Sequence, residues 1–242
     1  MSVAGTRMQD LKSRPGARLI LIQHGEAICT VRGLVAGEHQ CRGLTAQGHR
    51  QAAAVALRLA DEQHAHQVCA VYATSTARAV QTARPIADAL NAPLITELPN
   101  IDFGDAEGKT WASVLAAFDP PLALTPNLPM APGAEPWSAW VARVGEHTDA
   151  LAERHLGETV ALVCHWETIV AIEQHLQRGS ATLEHATMTV NHTSITQWER
   201  RPLGDPAHRR WRWVRHCHND ILHRALDTAP GKVRVPRLSR RF

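Results

Sequence analysis

The sequence lacks a membrane-length apolar run, a disulfide framework and a strong excess of charge of either sign. No apolar stretch approaches the roughly 20 residues that a membrane-spanning helix requires. The five cysteines are scattered, odd in number and without C-x-x-C spacing, which is typical of reduced thiols in a cytoplasmic protein. A formal net charge of +3 is too small to indicate a nucleic-acid partner. We therefore expect a cytoplasmic globular protein that binds neither membranes nor nucleic acid.

Aromatic residues other than tryptophan are rare: the chain has seven Trp but only three Phe and one Tyr, and it carries fifteen His. Its 242 residues are enough for one large domain with a sizeable core, so a second domain is not required. Residues 1–17 lack the apolar segment of a signal peptide and are predicted to be a flexible leader. Residues 18–226 are predicted to form the domain, and the basic residues 227–242 a solvated tail.

Strand-like and helix-like patterns alternate along the predicted domain. The runs "LILI" (19–22), "VCAVYATS" (68–75) and "TVALVCH" (159–165) are typical of buried strands. Helices are predicted from the N-cap Thr45 to about Ala60, and from about Ala77 to Leu90 with Asn91 as C-cap. Further strands are predicted at "PLITEL", "TSITQWE" and "RWRWVRHC", and further helices at "TWASVLAAF", "WSAWVARVGEHTDALAERH" and "ETIVAIEQHLQR". This alternation predicts an α/β fold whose mainly parallel central sheet carries helices on both faces.

A long Pro-rich segment, "DPPLALTPNLPMAPGAEP" (119–136), separates two of the predicted helices. Loops of this length inside a compact domain are commonly lids or binding segments. Four tryptophans, Trp111, Trp137, Trp140 and Trp166, lie in or near this segment or the strand ends. They favour an apolar or aromatic substrate, although tryptophan is more often a core residue.

Two of the predicted strands end on histidines, His24 and His165. Ligands of open α/β sheets bind beyond the carboxyl ends of the strands, so both imidazoles are expected at one edge of the sheet. Arg78 follows a third strand, in the first turn of a helix whose N–H groups already favour an anion. Together these groups predict a small cationic cup for a phosphate or carboxylate, in which a neutral imidazole is able to attack phosphorus. A single histidine at a strand end would be no more than a polar terminus.

The motifs "LILIQHGEA", "GLTAQGHRQAAAVALRL", "YATSTARAVQTARPIADAL", "IDFGDAEGKTW", "APGAEPW" and "ALVCHWETI" resemble, in order and spacing, those of the histidine phosphatase (phosphoglycerate mutase-like) superfamily. The resemblance runs from about Arg18 to His223, and the segments "HTSITQWE" and "VRHCHNDILH" resemble the end of bacterial members of the phosphatase branch. It implies a three-layer α/β fold and hydrolysis of a small-molecule phosphate monoester. It also implies a phosphohistidine on His24, with Arg78 and His165 binding the phosphoryl group and with no metal or organic cofactor.

The sequence departs from the pattern of this family at three positions. Gln23 stands where the family has arginine, and an amide supplies neither charge nor a bidentate cationic fork. Asn100 stands where the family usually has the acid that protonates the leaving oxygen, and an amide has no proton to give at neutral pH. Thr30 replaces a common asparagine and still forms hydrogen bonds. The active site is therefore degenerate by this comparison, and general acid help is typically worth about 10²–10⁴ in rate.

Several carboxylates near the expected cup are candidates to replace the missing acid. They are Glu26, Asp102, Asp105, Glu107 and Glu167. Each one taken singly is better explained by helix capping or solvation, so the general acid stays unassigned. We expect five residues to contact the substrate: Gln23, Thr30, Asn100, Glu26 and Glu167.

Other functions remain open. With one cation and the acid lost, His24 and His165 would suit acid–base chemistry, as in an isomerase, lyase or cyclase, on a non-phosphorylated metabolite of a specialised pathway; an inactive binding protein is a further alternative.

The pattern His216-x-His218-x-Asp220 resembles a binuclear metal motif, but residue 221 is Ile and no second ligand cluster accompanies it. Should the chain associate, a homodimer is the state that base rates favour.

Overall fold

The computed structural model describes residues 16–63, 67–117, 125–177, 188–203 and 210–224. Most of the predicted leader and all of the predicted basic tail lie outside the described residues, as does the first part of the Pro-rich segment. The strands are β1 Arg18–Gln23, β2 Val68–Thr74, β3 Leu94–Leu98, β4 Thr159–Cys164, β5 Ile195–Pro202 and β6 Trp211–Asp220. They form one mixed sheet in the order β3-β2-β4-β1-β5-β6, in which the first four are parallel and β5 and β6 are antiparallel.

The helices of the described residues are α1 Ile28–Val31, α2 Ala46–Asp61, α3 Ala77–Leu90, α4 Trp111–Ala116, α5 Trp137–Arg154 and α6 Trp166–Leu176, with a 3₁₀ turn at Gly104–Ala106. Local signals located α2 and α3 correctly. The Thr45 hydroxyl accepts from the Gly48 N–H (3.0 Å), and Asn91 ends α3 in the left-handed region at φ 50°. The short helix α1 and the 3₁₀ turn were not predicted, because neither carries a cap or a periodic apolar pattern. None of the helices in the described part is long and apolar enough to span a bilayer.

Alternate residues of the central strand β1 enter two separate hydrophobic cores. Leu19 and Leu21 pack in the core that contains α5 and α6. Ile20 and Ile22 pack in the opposite core, which contains α2 and α3. All four are fully buried, and burying such a side chain contributes roughly 1.5–3 kcal/mol. The predicted α/β fold with helices on both faces of a mainly parallel sheet is confirmed, and the sheet is the middle of three layers.

The strand order decides where the polar strand ends meet. The adjacent strands β2, β4 and β1 are parallel, so their carboxyl ends lie at the same edge of the sheet. His24 follows β1, His165 follows β4, and residues 75–78 connect β2 to the first turn of α3. Three segments that are far apart in the sequence therefore meet at one place.

Candidate active site

Three buried cationic or titratable side chains meet at this edge: His24, Arg78 and His165, each no more than 5% exposed. The Arg78 Nε donates toward His24 Nε2 (3.1 Å) and toward His165 Nδ1 (3.2 Å). The two imidazole rings lie with their centroids 5.2 Å apart, edge to face. The structure thus brings together the three residues that the sequence predicted to be catalytic.

The local backbone fixes the orientation of His24. Its Nδ1 lies 2.7 Å from the Gly25 carbonyl oxygen, which only accepts hydrogen bonds, so Nδ1 carries the proton and Nε2 the lone pair. Gly25 passes so close to α2 that a Cβ there would lie 2.6 Å from the Gly48 carbonyl oxygen. Burial, and secondarily the Arg78 charge, lowers the pKa of His24 well below its usual value. His24 is therefore a neutral imidazole whose free nitrogen faces Arg78.

Arg78 has one guanidinium nitrogen without a partner. Its Nη2 donates to the Ala36 carbonyl oxygen (2.8 Å), and its Nε is shared between the two imidazoles. Its Nη1 is buried and has no hydrogen-bond partner among the described residues. An unsatisfied buried donor costs about 1–3 kcal/mol, and more when charged, so this nitrogen is well suited to an anionic oxygen.

His165 is held in one tautomer by the residue that replaces the usual acid. Its Nε2 lies 3.0 Å from Asn100 Oδ1 and 2.9 Å from Thr74 Oγ1. Because an amide oxygen only accepts, Nε2 carries the proton and Nδ1 accepts from Arg78. Burial, then Arg78, then His24 lower the pKa of His165 well below its usual value. The contact partner of Asn100 is thus the second histidine.

Gln23 lies beside the cup but is anchored to the chain segment before β5. In the orientation that satisfies both amide atoms, its nitrogen donates to the carbonyl oxygens of Val190 (2.5 Å) and Asn191 (3.3 Å). The backbone pairs here as well, since the Thr193 N–H donates to the Gln23 carbonyl oxygen (2.9 Å). The amide therefore supports a wall of the site, whereas an arginine at this position would add a second cation.

A cavity of about 530 Å³ opens from the cup. His24, Arg78 and Gln23 line it, and Thr30, Thr125, Glu135 and Glu167 are the other polar or charged residues of its lining. Its walls are otherwise largely apolar: Leu34, Ile101, Phe103, Trp111, Leu115, Leu128, Met130, Trp137 and Trp166. Trp140, by contrast, is fully buried in the core. The predicted contacts Thr30 and Glu167 thus lie in the cavity, together with three of the four tryptophans.

The two carboxyl groups of the cavity differ in their partners. Glu135 accepts two hydrogen bonds from the Arg143 guanidinium, at 2.8 and 2.7 Å. Glu167 lies in the first turn of α6, two residues after His165, and the Trp140 indole donates to its carbonyl oxygen (3.3 Å). Burial raises the pKa of the Glu167 carboxyl, although the Arg78 charge opposes the shift. Burial therefore favours the protonated form of the Glu167 carboxyl.

The other candidate carboxylates have partners in loops and caps. Glu26 accepts from the Thr45 hydroxyl (2.6 Å), Asp102 from the Gly104 N–H (2.8 Å) and Glu107 from the Gln40 N–H (2.9 Å). Asp105 is exposed in the 3₁₀ turn. None of these four is among the residues that line the cavity. Glu26, Asp102 and Glu107 thus contact other groups of the protein, and Asp105 is exposed.

Sequence reasoning missed a third histidine beside the nucleophile position. The His192 ring lies 5.8 Å from the His24 ring, centroid to centroid, on the segment that precedes β5. Burial lowers its pKa, and the nearby Glu26 charge opposes the shift. Its place directly before the strand pattern "TSITQWE" was the available signal, because β5 runs antiparallel to β1 and begins next to the end of β1 that precedes His24.

The histidines of β6 do not form a common metal site. His216 lies 2.6 Å from a Glu199 carboxylate oxygen, and His218 lies 2.9 Å from a Glu173 carboxylate oxygen. Asp220 pairs instead with Arg58 (2.7 Å). Because each side chain has its own partner on a different element, the resemblance to a binuclear metal motif was misleading.

Comparisons with known proteins agree with this geometry. A sequence profile of the histidine phosphatase superfamily (branch 1) matches residues 19–214. The metal-independent phosphoserine phosphatase of Arabidopsis thaliana is 26% identical over 199 residues, which cover 78% of this chain and 82% of that protein.

Solved structures of similar fold include a mycobacterial glucosyl-3-phosphoglycerate phosphatase, with a TM-score of 0.72 and 21% identity over 86% of this chain and 99% of that one. A phosphoglycerate mutase from Bacillus anthracis has a TM-score of 0.69 and 19% identity, over 88% of this chain and 97% of that one. At these identities the structural likeness supports the fold. The profile match covers most of the chain, and the chain therefore belongs to the histidine phosphatase superfamily as a phosphatase-like hydrolase.

Proposed function

We propose that the protein hydrolyses a small-molecule phosphate monoester through a phosphohistidine on His24. The observation that carries this proposal is the unpartnered, buried Nη1 of Arg78, whose Nε donates to the unprotonated Nε2 of His24. A phosphoryl group placed there would give Arg78 the anionic oxygen that it lacks. It would also present phosphorus to a neutral imidazole nitrogen that is fixed in the nucleophilic tautomer.

In the first step His24 Nε2 attacks phosphorus in line, an N–P bond forms, and the bond to the leaving oxygen breaks. Arg78 holds the equatorial oxygens. The negative charge of the phosphoryl group raises the pKa of His165, so that its Nδ1 takes up a proton and donates to the same group. Asn100 and Thr74 keep the His165 ring in position during this change.

Glu167 is our candidate for the proton donor that Asn100 cannot be. It lines the cavity with His24 and Arg78, and its raised pKa favours the protonated form that a general acid needs. The proton of its carboxyl passes to the leaving oxygen, which departs as an alcohol. Its carboxylate then accepts a proton from the water that cleaves the phosphohistidine, and inorganic phosphate is released.

The cavity walls favour a substrate with an apolar or aromatic organic group. Trp111 and Phe103 pack edge to face (5.7 Å between ring centroids), and Trp137 and Trp166 form a second pair in the lining (6.5 Å between ring centroids). The phosphoserine and glucosyl-3-phosphoglycerate named for the relatives are polar compounds, so we propose that this chain acts on a different, more apolar monoester.

The test is phosphate release from a panel of alkyl and aryl phosphate monoesters by the wild-type protein and by His24→Ala. We expect turnover in the wild type, a phosphorylated protein after rapid denaturation without acid, and neither in His24→Ala. A wild type without turnover, combined with activity in Gln23→Arg/Asn100→Glu, would contradict the proposal. It would favour acid–base chemistry on a non-phosphorylated metabolite, for which the single guanidinium of this cup would be sufficient.

We also propose that the protein acts in the cytoplasm. All five cysteines are free thiols in the structure, including the half-buried Cys41, Cys69 and Cys217. Thiols that stay reduced are typical of a reducing compartment. Localisation of the tagged protein in cell fractions tests this proposal.

A further inference from the structure

A second cluster of ligand-type side chains lies at the amino-terminal edge of the sheet, away from His24. Cys69 is the second residue of β2, His155 directly follows α5, and Glu158 directly precedes β4. Their donor atoms lie within 4.8 Å of one another. We propose that Cys69, His155 and Glu158 form a zinc site, with a water molecule as the fourth ligand, that ties these three elements together.

The distances between the donor atoms are close to those of a tetrahedral zinc site. Bond lengths of about 2.3 Å to sulfur and 2.0–2.2 Å to nitrogen and oxygen place tetrahedral ligands roughly 3.4–3.6 Å apart. Cys69 Sγ lies 3.7 Å from His155 Nδ1 and 3.5 Å from Glu158 Oε2, while His155 Nδ1 and Glu158 Oε2 are 2.8 Å apart. Only the exposed Glu158 carboxylate has to move, by about half an ångström.

The outer nitrogen of the imidazole has a hydrogen-bond partner, as the outer nitrogen of a metal-bound histidine does. His155 Nε2 lies 2.8 Å from the hydroxyl of Tyr72, which is buried and is the only tyrosine of the chain. Without a metal, the Glu158 carboxylate accepts from His155 Nδ1–H. Zinc binding would move the ring proton to Nε2, which then donates to Tyr72, and leave the Nδ1 lone pair for the metal. Such hydrogen bonds fix the tautomer and ring orientation of zinc-bound histidines.

The charges of the cluster also favour a divalent cation. The Cys69 thiol lies 3.5 Å from a Glu158 carboxylate oxygen, so ionisation of the thiol would place two anions side by side. A zinc ion compensates both anions, and its binding releases the thiol proton to water as the Zn–S bond forms. No oxidation or reduction takes place.

The zinc site would stabilise the fold and leave catalysis unchanged, because His24 and Arg78 are at the opposite edge of the sheet. The experiment uses the full-length protein after chelation and dialysis. Cobalt(II) serves as the spectroscopic probe, zinc as the competitor, and thermal unfolding as the second readout. The variants are Cys69→Ala, Glu158→Gln and, as a matched control, Cys217→Ala, whose half-buried thiol also has a raised pKa.

In the wild type and in Cys217→Ala we expect one equivalent of cobalt with a thiolate-to-cobalt charge-transfer band that zinc abolishes. Zinc at about a hundred times its Kd should raise Tm on the order of 5 °C. Cys69→Ala should lose the band and the shift, and Glu158→Gln should bind at least tenfold more weakly. Absence of stoichiometric binding at micromolar zinc, or binding that survives Cys69→Ala, would overturn the proposal. Phosphate release is measured separately, so failure of the zinc site leaves the proposed reaction untouched.

Discussion

Substitution of Glu167 by glutamine should slow the cleavage of alkyl phosphates far more than that of p-nitrophenyl phosphate. An alkoxide is a strong base and needs a proton as the P–O bond breaks, whereas nitrophenolate departs unprotonated. Glutamine preserves the size of the side chain and leaves the carbonyl oxygen that accepts from Trp140 in place. The substitution therefore removes the acidic proton and little else.

The expected size of the effect follows from the proton that Glu167 supplies. General acid catalysis contributes about 10²–10⁴ in rate, or roughly 3–5 kcal/mol of barrier. Burial raises the pKa of Glu167, but the Arg78 charge opposes this increase and favours the ionised form. We expect a loss near the lower limit, about 10²-fold for an alkyl phosphate, and less than about fivefold for p-nitrophenyl phosphate.

The assay is kcat/KM for both substrates as a function of pH. A general acid acts while it is protonated, so the wild-type rate with the alkyl phosphate should fall as pH rises through the raised pKa of Glu167. Arg78 is the charged side chain that acts on this carboxyl. Burial and Arg78 lower the pKa values of His24 and His165 well below the usual value, so both imidazoles are neutral in the free enzyme. The decline should disappear in Glu167→Gln.

Glu135→Gln is the control, because this second cavity carboxylate is paired with Arg143. It should leave the ratio of the two rates unchanged. If Glu167→Gln slows both substrates equally, Glu167 positions the substrate and is not the acid. If it slows neither, the assignment is refuted and His192 becomes the next candidate.

Three further predictions concern the turn after β1, the cavity wall and the segment that follows β6. Gly25→Ala should lower stability by about 1–3 kcal/mol and reduce activity, because a Cβ would lie 2.6 Å from the Gly48 carbonyl oxygen; urea unfolding measures this. Trp111→Ala should raise KM for aryl phosphates more than for small alkyl phosphates, since it removes an aromatic wall. The pKa of His223 is lowered to about 4 by burial and Arg58, so the unfolded chain binds the proton first and stability should fall as pH drops from about 6.5 toward 4. His223→Gln should give a shallower decline of Tm over that range, and an identical decline would contradict the assignment.

Local signals were sufficient for most of the fold. Apolar runs located the central strands, Thr45 and Asn91 marked helix ends, and the alternation of strands and helices predicted a mainly parallel sheet with helices on both faces. These features depend on neighbours within a few residues, such as a cap that satisfies a nearby N–H group. The position of a strand end is equally local, so His24 and His165 were recognised as strand-terminal residues without any knowledge of the tertiary structure.

The order of the strands in the sheet decided which side chains are in contact. No local sequence pattern contains this order. The order β2-β4-β1 places Arg78 between two imidazoles from strands far apart in the sequence, and pairing of β5 with β1 brings His192 to His24. The positions of the protons on His24 and His165 could be assigned only from the tertiary contacts, because the carbonyl or amide oxygen that faces each imidazole sets its tautomer.

The sequence by itself determined the elements, their caps and the residue types at the strand ends, because each of these depends on short-range sterics and hydrogen bonds. Only the tertiary structure decided which of the five candidate carboxylates lines the cavity, namely Glu167, and that Cys69, His155 and Glu158 meet at the other edge of the sheet. Such contacts arise when separate strands and helices pack into one sheet and its two cores. Their distances follow from the register and order of that packing, which are properties of the whole chain.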